Sequence, residues 1–132
     1  VWAMARTNDP GRADALGVDR VWDRAALREM LAGADAVVLA TPLTPETEGM
    51  IGPDEIAAMK PGAALVNVAR GAVIDEDALI AALRSGQVGF AALDVFRTEP
   101  LPTDSPFWGL PNVLINPHSA STALDENARL TE

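Results

Sequence analysis

Short apolar runs alternate along the chain with segments of helical periodicity. The run at residues 36–40, Ala-Val-Val-Leu-Ala, holds five apolar positions without polar alternation, which is typical of a strand covered on both faces of a sheet. Similar runs predict four further strands, at residues 1–5, 63–69, 88–95 and 113–115. A strong turn signal, Asn8-Asp9-Pro10-Gly11, ends the first of them.

Helix start and stop signals lie between these strands. They predict helices over residues 24–32 (N-cap Asp23, closed by Gly33), 53–59, 76–84 (N-cap Asp75, closed by Gly86) and from residue 123 onward (N-cap Ser121 or Thr122). Strand–helix alternation of this kind predicts an α/β fold with a doubly wound parallel sheet and right-handed crossovers.

Composition narrows the class of protein. The chain has 132 residues, the size of one domain, and 48% of them are hydrophobic, which is enough to bury a core. Its formal net charge of -9 argues against a nucleic-acid partner, since binding a polyphosphate relies on a basic face. The absence of cysteine excludes disulfides, thiolate zinc sites and cysteine nucleophiles.

Two further absences concern location. No apolar run approaches the roughly 20 residues of a membrane span. No basic-then-apolar leader opens the sequence. We therefore expect a cytoplasmic protein without a membrane partner.

Arg70 stands where an open α/β sheet places its ligands, just after a buried strand. An arginine at a strand end can hold a carboxylate with two parallel hydrogen bonds, which a lysine cannot. The neighbouring Gly71 would allow close backbone approach. A surface arginine paired with Asp75 or Glu76 is an equally good interpretation of this residue alone.

His118, the chain's only histidine, and Glu99 follow two other predicted strands. Histidine is the usual general acid or base near neutral pH. A carboxylate beside it would orient the ring and favour the imidazolium. Taken singly, His118 is more simply a loop histidine and Glu99 one of 19 acids. An anion clamp, a histidine and an acid after different strands make an active site the better hypothesis.

Arg6 and Thr7 follow the first predicted strand, at the position that reads the adenosine ribose in dinucleotide folds. An Asp or Glu there bonds the ribose hydroxyls, whereas an arginine accommodates a 2′-phosphate. The sequence offers Ala5-Arg6-Thr7 without the acid, which favours NADP over NAD. Asp9 could still serve as the acid, and Arg6 could be an ordinary edge charge.

Several motifs together resemble the D-isomer-specific 2-hydroxyacid dehydrogenases, in that family's order over residues 36–122. They are Thr41-Pro42-Leu43-Thr44-Pro45-Glu46-Thr47-Glu48-Gly49, Val66-Asn67-Val68-Ala69-Arg70-Gly71, Ala92-Leu93-Asp94-Val95-Phe96, Glu99-Pro100-Leu101-Pro102, Pro111-Asn112-Val113 and Pro117-His118. The compact loop between Glu99 and His118 looks most like the glyoxylate/hydroxypyruvate reductase branch, with phosphoglycerate dehydrogenase-like members as close rivals. Related transcriptional corepressors, which sense nucleotides on the same scaffold, are an alternative of a different class.

The resemblance implies a role for each matching position. Catalytic roles fall on Arg70, which should bind the substrate's carboxylate and carbonyl oxygen, His118, which should donate the proton, and Glu99, which should hold His118. Cofactor-binding roles fall on Thr41 and Pro42 at the adenosine side, Ala69 at the nicotinamide side and Asp94 at the carboxamide. The implied partners are NADP or NAD and a small 2-oxo or 2-hydroxy acid, in a homodimer without a metal.

The sequence contains no G-x-G-x-x-G turn. In this family that turn lies roughly 20 residues before the ribose-binding position, which would place it ahead of residue 1. We therefore interpret residues 1–5 as the second strand of a Rossmann-like sheet that is incomplete, lacking its first strand and Gly-rich turn. Residues 1–132 are then expected to be a partial dinucleotide-binding domain, with the substrate domain absent from this chain.

Overall fold

The computed structural model describes residues 1–6 and 11–120. Its strands are β1 (Trp2–Met4), β2 (Arg20–Trp22), β3 (Ala36–Leu39), β4 (Ala63–Asn67), β5 (Val88–Leu93) and β6 (Val113–Ile115). Its α-helices are α1 (Arg12–Leu16), α2 (Leu27–Gly33), α3 (Pro53–Ala58) and α4 (Glu76–Ser85). None of the helices in this part of the chain is long and apolar enough to cross a membrane.

All strand pairs within residues 1–6 and 11–120 are parallel, as the alternation of elements predicts. The main sheet has the order β3-β4-β5-β6, and β1 pairs with β2 in a separate two-stranded sheet. Because parallel strands end at the same edge, the loops that follow β3, β4, β5 and β6 meet at one side of the main sheet.

The core lies on one face of the main sheet. Buried side chains from α2, α3 and α4 pack there against alternate positions of β3, β4 and β5. The prediction that residues 36–40 are covered on both faces is wrong for the described residues, because Val38 is 63% exposed. Val38 heads an apolar row across the other face, through Val66 and Ala92 to the exposed Leu114.

Local capping explains where the helices begin. The Asp75 side chain accepts a hydrogen bond from the Ala78 N–H at 3.0 Å and so caps α4, as predicted. Asp23 also acts as an N-cap, but its carboxylate accepts from the Ala26 N–H at 3.3 Å and begins a 3₁₀ turn. The predicted helix over residues 24–32 is therefore a 3₁₀ turn followed by α2.

Among the α-helices and strands of the described residues, two were not predicted. Helix α1 has five residues and buries none, and β2 has three, so neither is long enough for hydrophobic periodicity to reveal it. The helix expected from residue 123 onward lies outside the described residues, as do Thr7 and Asp9.

A groove separates the two sheets. It has a volume of about 910 Å³ and is lined on one side by β1 and on the other by β3, with Leu27, Met30 and Leu31 along its length. Strands β1 and β3 do not pair with each other, so each presents one edge to the groove.

Candidate active site

Polar side chains collect at the carboxyl edge of the main sheet. Arg70 follows β4, Asp94 follows β5 directly, and His118 lies three residues beyond the last residue of β6. The sheet is parallel and in register, so the residues that end the central strands, Asn67 and Leu93, are direct neighbours. The sequence prediction that these loops meet at one edge therefore agrees with the topology.

The turn that carries Arg70 is shaped by Asn67. The Asn67 Oδ1 accepts a hydrogen bond from the Ala69 N–H at 3.0 Å, and its Nδ2 donates to the Arg70 carbonyl at 3.1 Å. These bonds bend the chain after Asn67, so β4 ends there and does not continue to residue 69 as predicted. Ala69 is buried in the turn, whereas the Arg70 side chain is exposed.

Arg70 makes none of the ion pairs that the sequence left open. Glu76 accepts a hydrogen bond from the Arg97 N–H at 2.7 Å, and the Asp75 carboxylate caps α4. Within the described residues the Arg70 guanidinium is bonded only to the Ala69 carbonyl, by Nη1 at 2.6 Å. Because this one bond is to a neutral acceptor, the guanidinium keeps further N–H donors and its positive charge for an anionic ligand.

Gly71 joins two loops of the site. A Cβ at this position would lie 1.9 Å from the carbonyl carbon of Phe96 and 2.2 Å from the nitrogen of Arg97. Any side chain here would therefore push the Arg70 turn away from the segment that leads to Glu99. The close approach that Gly71 allows is to another stretch of this chain's backbone.

His118 and Glu99 form a hydrogen-bonded pair. The His118 Nδ1 lies 2.8 Å from the Glu99 Oε2. An ionised carboxylate only accepts, so Nδ1 donates and Nε2 is left facing away from the pair. The second carboxylate oxygen, Oε1, accepts from the Phe96 N–H at 2.9 Å, which fixes the orientation of Glu99. A histidine held in this way can present a proton at Nε2.

The same contacts favour the ionised form of Glu99. The hydrogen bond with His118, followed by that from the Phe96 N–H, lowers the pKa of Glu99 below its ordinary value near 4.5. A carboxyl group whose pKa is lowered on folding stabilises the fold above its unfolded pKa, and this stabilisation is lost as the pH falls through the folded value.

We therefore expect Glu99→Gln to lower the free energy of unfolding at neutral pH and to have progressively less effect below about pH 4.5. The reason is that protonation of Glu99 removes the same charge in the wild-type protein. Urea unfolding of both proteins at neutral and acidic pH measures the difference. A difference of the same size across the whole range would contradict this electrostatic role.

Asp94 holds the loop that carries His118. Its Oδ1 accepts from the Asn116 Nδ2 at 2.5 Å and from the Ser119 N–H at 2.8 Å, and its Oδ2 accepts from the Ala120 N–H at 3.0 Å. His118 lies between these donors with φ of 52°, a left-handed conformation uncommon for a residue with a side chain. The carboxylate therefore stabilises a strained loop.

Burial and bonding act on Asp94 in opposite directions. Burial acts to raise the pKa of Asp94, but the N–H groups of Ala120 and Ser119 and the Asn116 side chain together hold it below its ordinary value. Asp94 is thus an anion at neutral pH although it is only 5% exposed.

A second group of predicted site residues lies on the groove between the two sheets. Arg6, Thr41 and Pro42 all line it. The Thr47 hydroxyl donates to the Pro42 carbonyl at 2.7 Å and so folds the loop after β3. Thr7 lies outside the described residues.

Arg6 also acts on an acid of that loop. The Thr44 hydroxyl is the largest cause of a lowered pKa at Glu46, and the charges of Arg24 and Arg6 lower it further by smaller amounts. Arg6 is thus near the loop after β3 as well as on the groove.

Sequence reasoning gave no role to two residues of the site, Asn67 and Asn116. Both act through side-chain bonds to neighbouring loop segments. The available signal for Asn67 was a lone amide in the apolar run Leu65-Val66-Asn67-Val68-Ala69, where an unbonded polar group would be costly.

The fold and the site together define a class of protein. Parallel strands whose carboxyl ends carry an arginine and a histidine–carboxylate pair are typical of a dinucleotide-binding α/β domain with an acid–base site. Residues 1–120 match the family model described as D-isomer specific 2-hydroxyacid dehydrogenase, NAD binding domain. The chain belongs to this family, which confirms the resemblance in its motifs and the prediction of a Rossmann-like fold.

Individual relatives agree with this assignment. Glyoxylate/hydroxypyruvate reductase B of Pectobacterium atrosepticum is 52% identical over 95 residues, which are 72% of this chain and 30% of that protein. D-3-phosphoglycerate dehydrogenase of Mycobacterium leprae is 47% identical over 115 residues, which are 86% of this chain and 21% of that protein. The chain thus spans less than a third of either relative.

A solved structure gives the same result. A D-isomer specific 2-hydroxyacid dehydrogenase from Xanthobacter autotrophicus Py2, crystallised with NADPH and MES, superposes with a TM-score of 0.81 at 42% identity. The match covers 98% of this chain and 62% of that one. An NAD-binding domain able to take NAD or NADP is therefore the expected class of cofactor site, as the sequence predicted.

Proposed function

We propose that the full-length protein interconverts a 2-oxo acid and a D-2-hydroxy acid with NAD(P)H. The observation that carries this proposal is the His118–Glu99 pair, whose Nδ1 and Oε2 are 2.8 Å apart. The segment that leads to Glu99 packs against Gly71, next to Arg70. Family membership supports the same reaction class.

The residues divide the task in a chemically sufficient way. Arg70 binds the carboxylate of the 2-oxo acid, and its positive charge stabilises the negative charge that grows on the carbonyl oxygen. His118 donates its Nε2 proton to that oxygen, while Glu99 keeps the ring oriented through its bond to Nδ1. The nicotinamide supplies the hydride when bound.

Residues on the described loops fit a nicotinamide dinucleotide at both ends. Arg6, Thr41 and Pro42 line the end of the groove that lies beyond the carboxyl ends of β1 and β3, which is the adenosine side on this proposal. Asp94 Oδ2 accepts one hydrogen bond within the described residues and has capacity for the carboxamide N–H, next to the buried Ala69 turn. A Gly-rich turn for the phosphates is not among the residues of this sequence.

We infer that a turn of this kind enters with a further parallel strand between β1 and β3. Both strands present an edge to the groove, whose apolar wall includes Val37, Leu39 and Ile51. A strand placed there would join the two sheets and carry its following turn to the carboxyl edge. Residues 1–132 are on this proposal a partial dinucleotide-binding domain, and the substrate domain lies elsewhere in the protein.

NADP is the proposed cofactor, with Arg6 binding the 2′-phosphate. We expect Arg6→Asp to lower the preference for NADPH over NADH by about 10- to 100-fold in kcat/KM, because a charge-assisted hydrogen bond is lost and a repulsive charge is gained. Steady-state kinetics with both cofactors measures the ratio.

Arg24→Asp is the matched control for this change. Arg24 also acts on Glu46, but it does not line the groove. An unmoved cofactor ratio in Arg6→Asp, or an equal shift in Arg24→Asp, contradicts a specific contact with the 2′-phosphate.

The proposed substrates are glyoxylate and hydroxypyruvate, because the matched reductase carries that name at 52% identity. A phosphoglycerate dehydrogenase-type substrate is the second candidate, on the match that covers 86% of this chain. A corepressor that only senses nucleotides is a weaker alternative, since it has no need of the His118–Glu99 pair. We propose that the active protein is a cytoplasmic homodimer.

Cofactor oxidation in the full-length protein tests the function. NADPH and NADH are each assayed with glyoxylate, hydroxypyruvate and bulkier 2-oxo acids. Turnover with at least one acid is expected, and the 132-residue chain alone is expected to be inactive. No oxidation with any acid, combined with measurable cofactor binding, favours the nucleotide sensor.

A further inference from the structure

Two polar side chains of the described residues are buried in the core, Asn67 at 1% exposure and Asp94 at 5%. They stand at the carboxyl ends of adjacent strands, and the Asp94 N–H donates to the Asn67 carbonyl at 3.0 Å. The register neighbours of Asn67 are Leu39 and Leu93, both buried. An apolar side chain would suit such surroundings better, so the amide has a purpose other than core packing.

Both functional atoms of the Asn67 amide are used within one turn. Oδ1 accepts from the Ala69 N–H at 3.0 Å and Nδ2 donates to the Arg70 carbonyl at 3.1 Å. The amide thus bonds the backbone of both Ala69 and Arg70. Because it is buried, these bonds do not compete with water.

The other side of Arg70 is held by a different device. Gly71 lies against the backbone of Phe96 and Arg97, with no space for a Cβ. The backbone on both sides of Arg70 is therefore fixed, by Asn67 from the strand and by Gly71 from the facing loop. The exposed guanidinium is the part of the turn that is left to meet a ligand.

We propose that Asn67 is the positioning residue for Arg70. It fixes the Ala69–Arg70 backbone so that the guanidinium meets the carboxylate of the 2-oxo acid in the two-bonded geometry. This role presupposes the proposed function of Arg70 and adds a residue that touches neither substrate nor cofactor.

Two variants of the full-length protein test the role. Asn67→Leu keeps the branched shape and removes both bonds, and we expect it to raise the KM for the 2-oxo acid by about 10-fold or more. Asn67→Ser retains a hydroxyl that can accept from the Ala69 N–H, so a smaller rise is expected.

Asn112→Leu is the matched control. The Asn112 Nδ2 donates to the Leu83 and Gly89 carbonyls at 3.1 and 3.3 Å, at the amino end of the strands and far from Arg70 along the sheet. The Asn112→Leu variant loses comparable hydrogen bonds, so we expect a lower free energy of unfolding with an unchanged KM for the 2-oxo acid. An equal rise of KM in the control would overturn the proposal.

A double-mutant cycle with Arg70→Ala separates positioning from a general structural effect. If Asn67 acts through Arg70, then Asn67→Leu lowers kcat/KM in the wild-type background and has no further effect once Arg70 is replaced. A further loss of the same size in the Arg70→Ala background would overturn the role.

The two proposals can fail separately. If the wild-type protein turns over no 2-oxo acid, the proposed function fails, and the crystal structure of Asn67→Leu then decides the positioning role. Displacement of the Arg70 guanidinium by more than about 1 Å supports it, since such shifts are enough to misplace a bound group. An unmoved guanidinium overturns it.

Discussion

Replacing His118 by Ala in the full-length protein should lower kcat for reduction of the 2-oxo acid by about 10²- to 10⁴-fold. In the structure the Nδ1 of His118 is held by Glu99 at 2.8 Å, which leaves Nε2 as the only ring position that can give a proton to substrate. The affinity for NADPH should be unchanged, because the histidine acts on the acid. Stopped-flow or steady-state oxidation of NADPH and a fluorescence titration of the cofactor measure the two quantities.

His118→Asn controls for the backbone of this residue. The φ of 52° at position 118 is a left-handed conformation, which Asn adopts more readily than Ala. Equal losses in the two variants assign the effect to the missing proton donor. A loss of kcat in His118→Ala alone assigns the effect to the conformation of the loop. Turnover near the wild-type rate in both variants rules out His118 as the acid.

Arg70→Lys is expected to raise the KM for the 2-oxo acid and to lower kcat, together about 10- to 100-fold in kcat/KM. Lysine keeps the positive charge but cannot form two parallel bonds to a carboxylate. Loss of charge stabilisation at the carbonyl oxygen accounts for the fall in kcat. Initial rates over a range of 2-oxo acid concentrations separate the two parameters.

Arg97→Lys provides the comparison for Arg70. Arg97 is also exposed, and its backbone lies against Gly71 in the adjacent loop. Its replacement should leave both parameters near those of the wild-type protein. Near-normal kinetics in Arg70→Lys would contradict the carboxylate clamp.

Much of the fold was predictable because its signals are local. The strand over residues 113–115 and the cap of α4 by Asp75 follow from an apolar run and from a carboxylate one residue before a helix. Other element ends were not predictable. Residues 63–69 read as one apolar run, but the chain turns at Asn67 because an amide there bonds the Ala69 N–H.

The candidate site was likewise predictable only in part. Arg70, Glu99 and His118 were selected by residue type and by their positions after strands. That Glu99 reaches His118, across 19 positions of sequence, follows from the packing of loops that no local pattern describes. The close contact of Gly71 with Phe96 likewise depends on two segments that meet only in the folded chain.

The family, the parallel α/β class and the residue types that carry the chemistry could all be predicted from the chain alone. These depend on periodicity and on motifs that are contiguous in the chain. Other features became visible in the folded chain: Val38 is exposed, a groove separates β1 from β3, and Asn67 and Asp94 hold the loops of Arg70 and His118. The physical reason is that burial and hydrogen bonding depend on which distant segments come into contact, and a linear pattern does not contain that information.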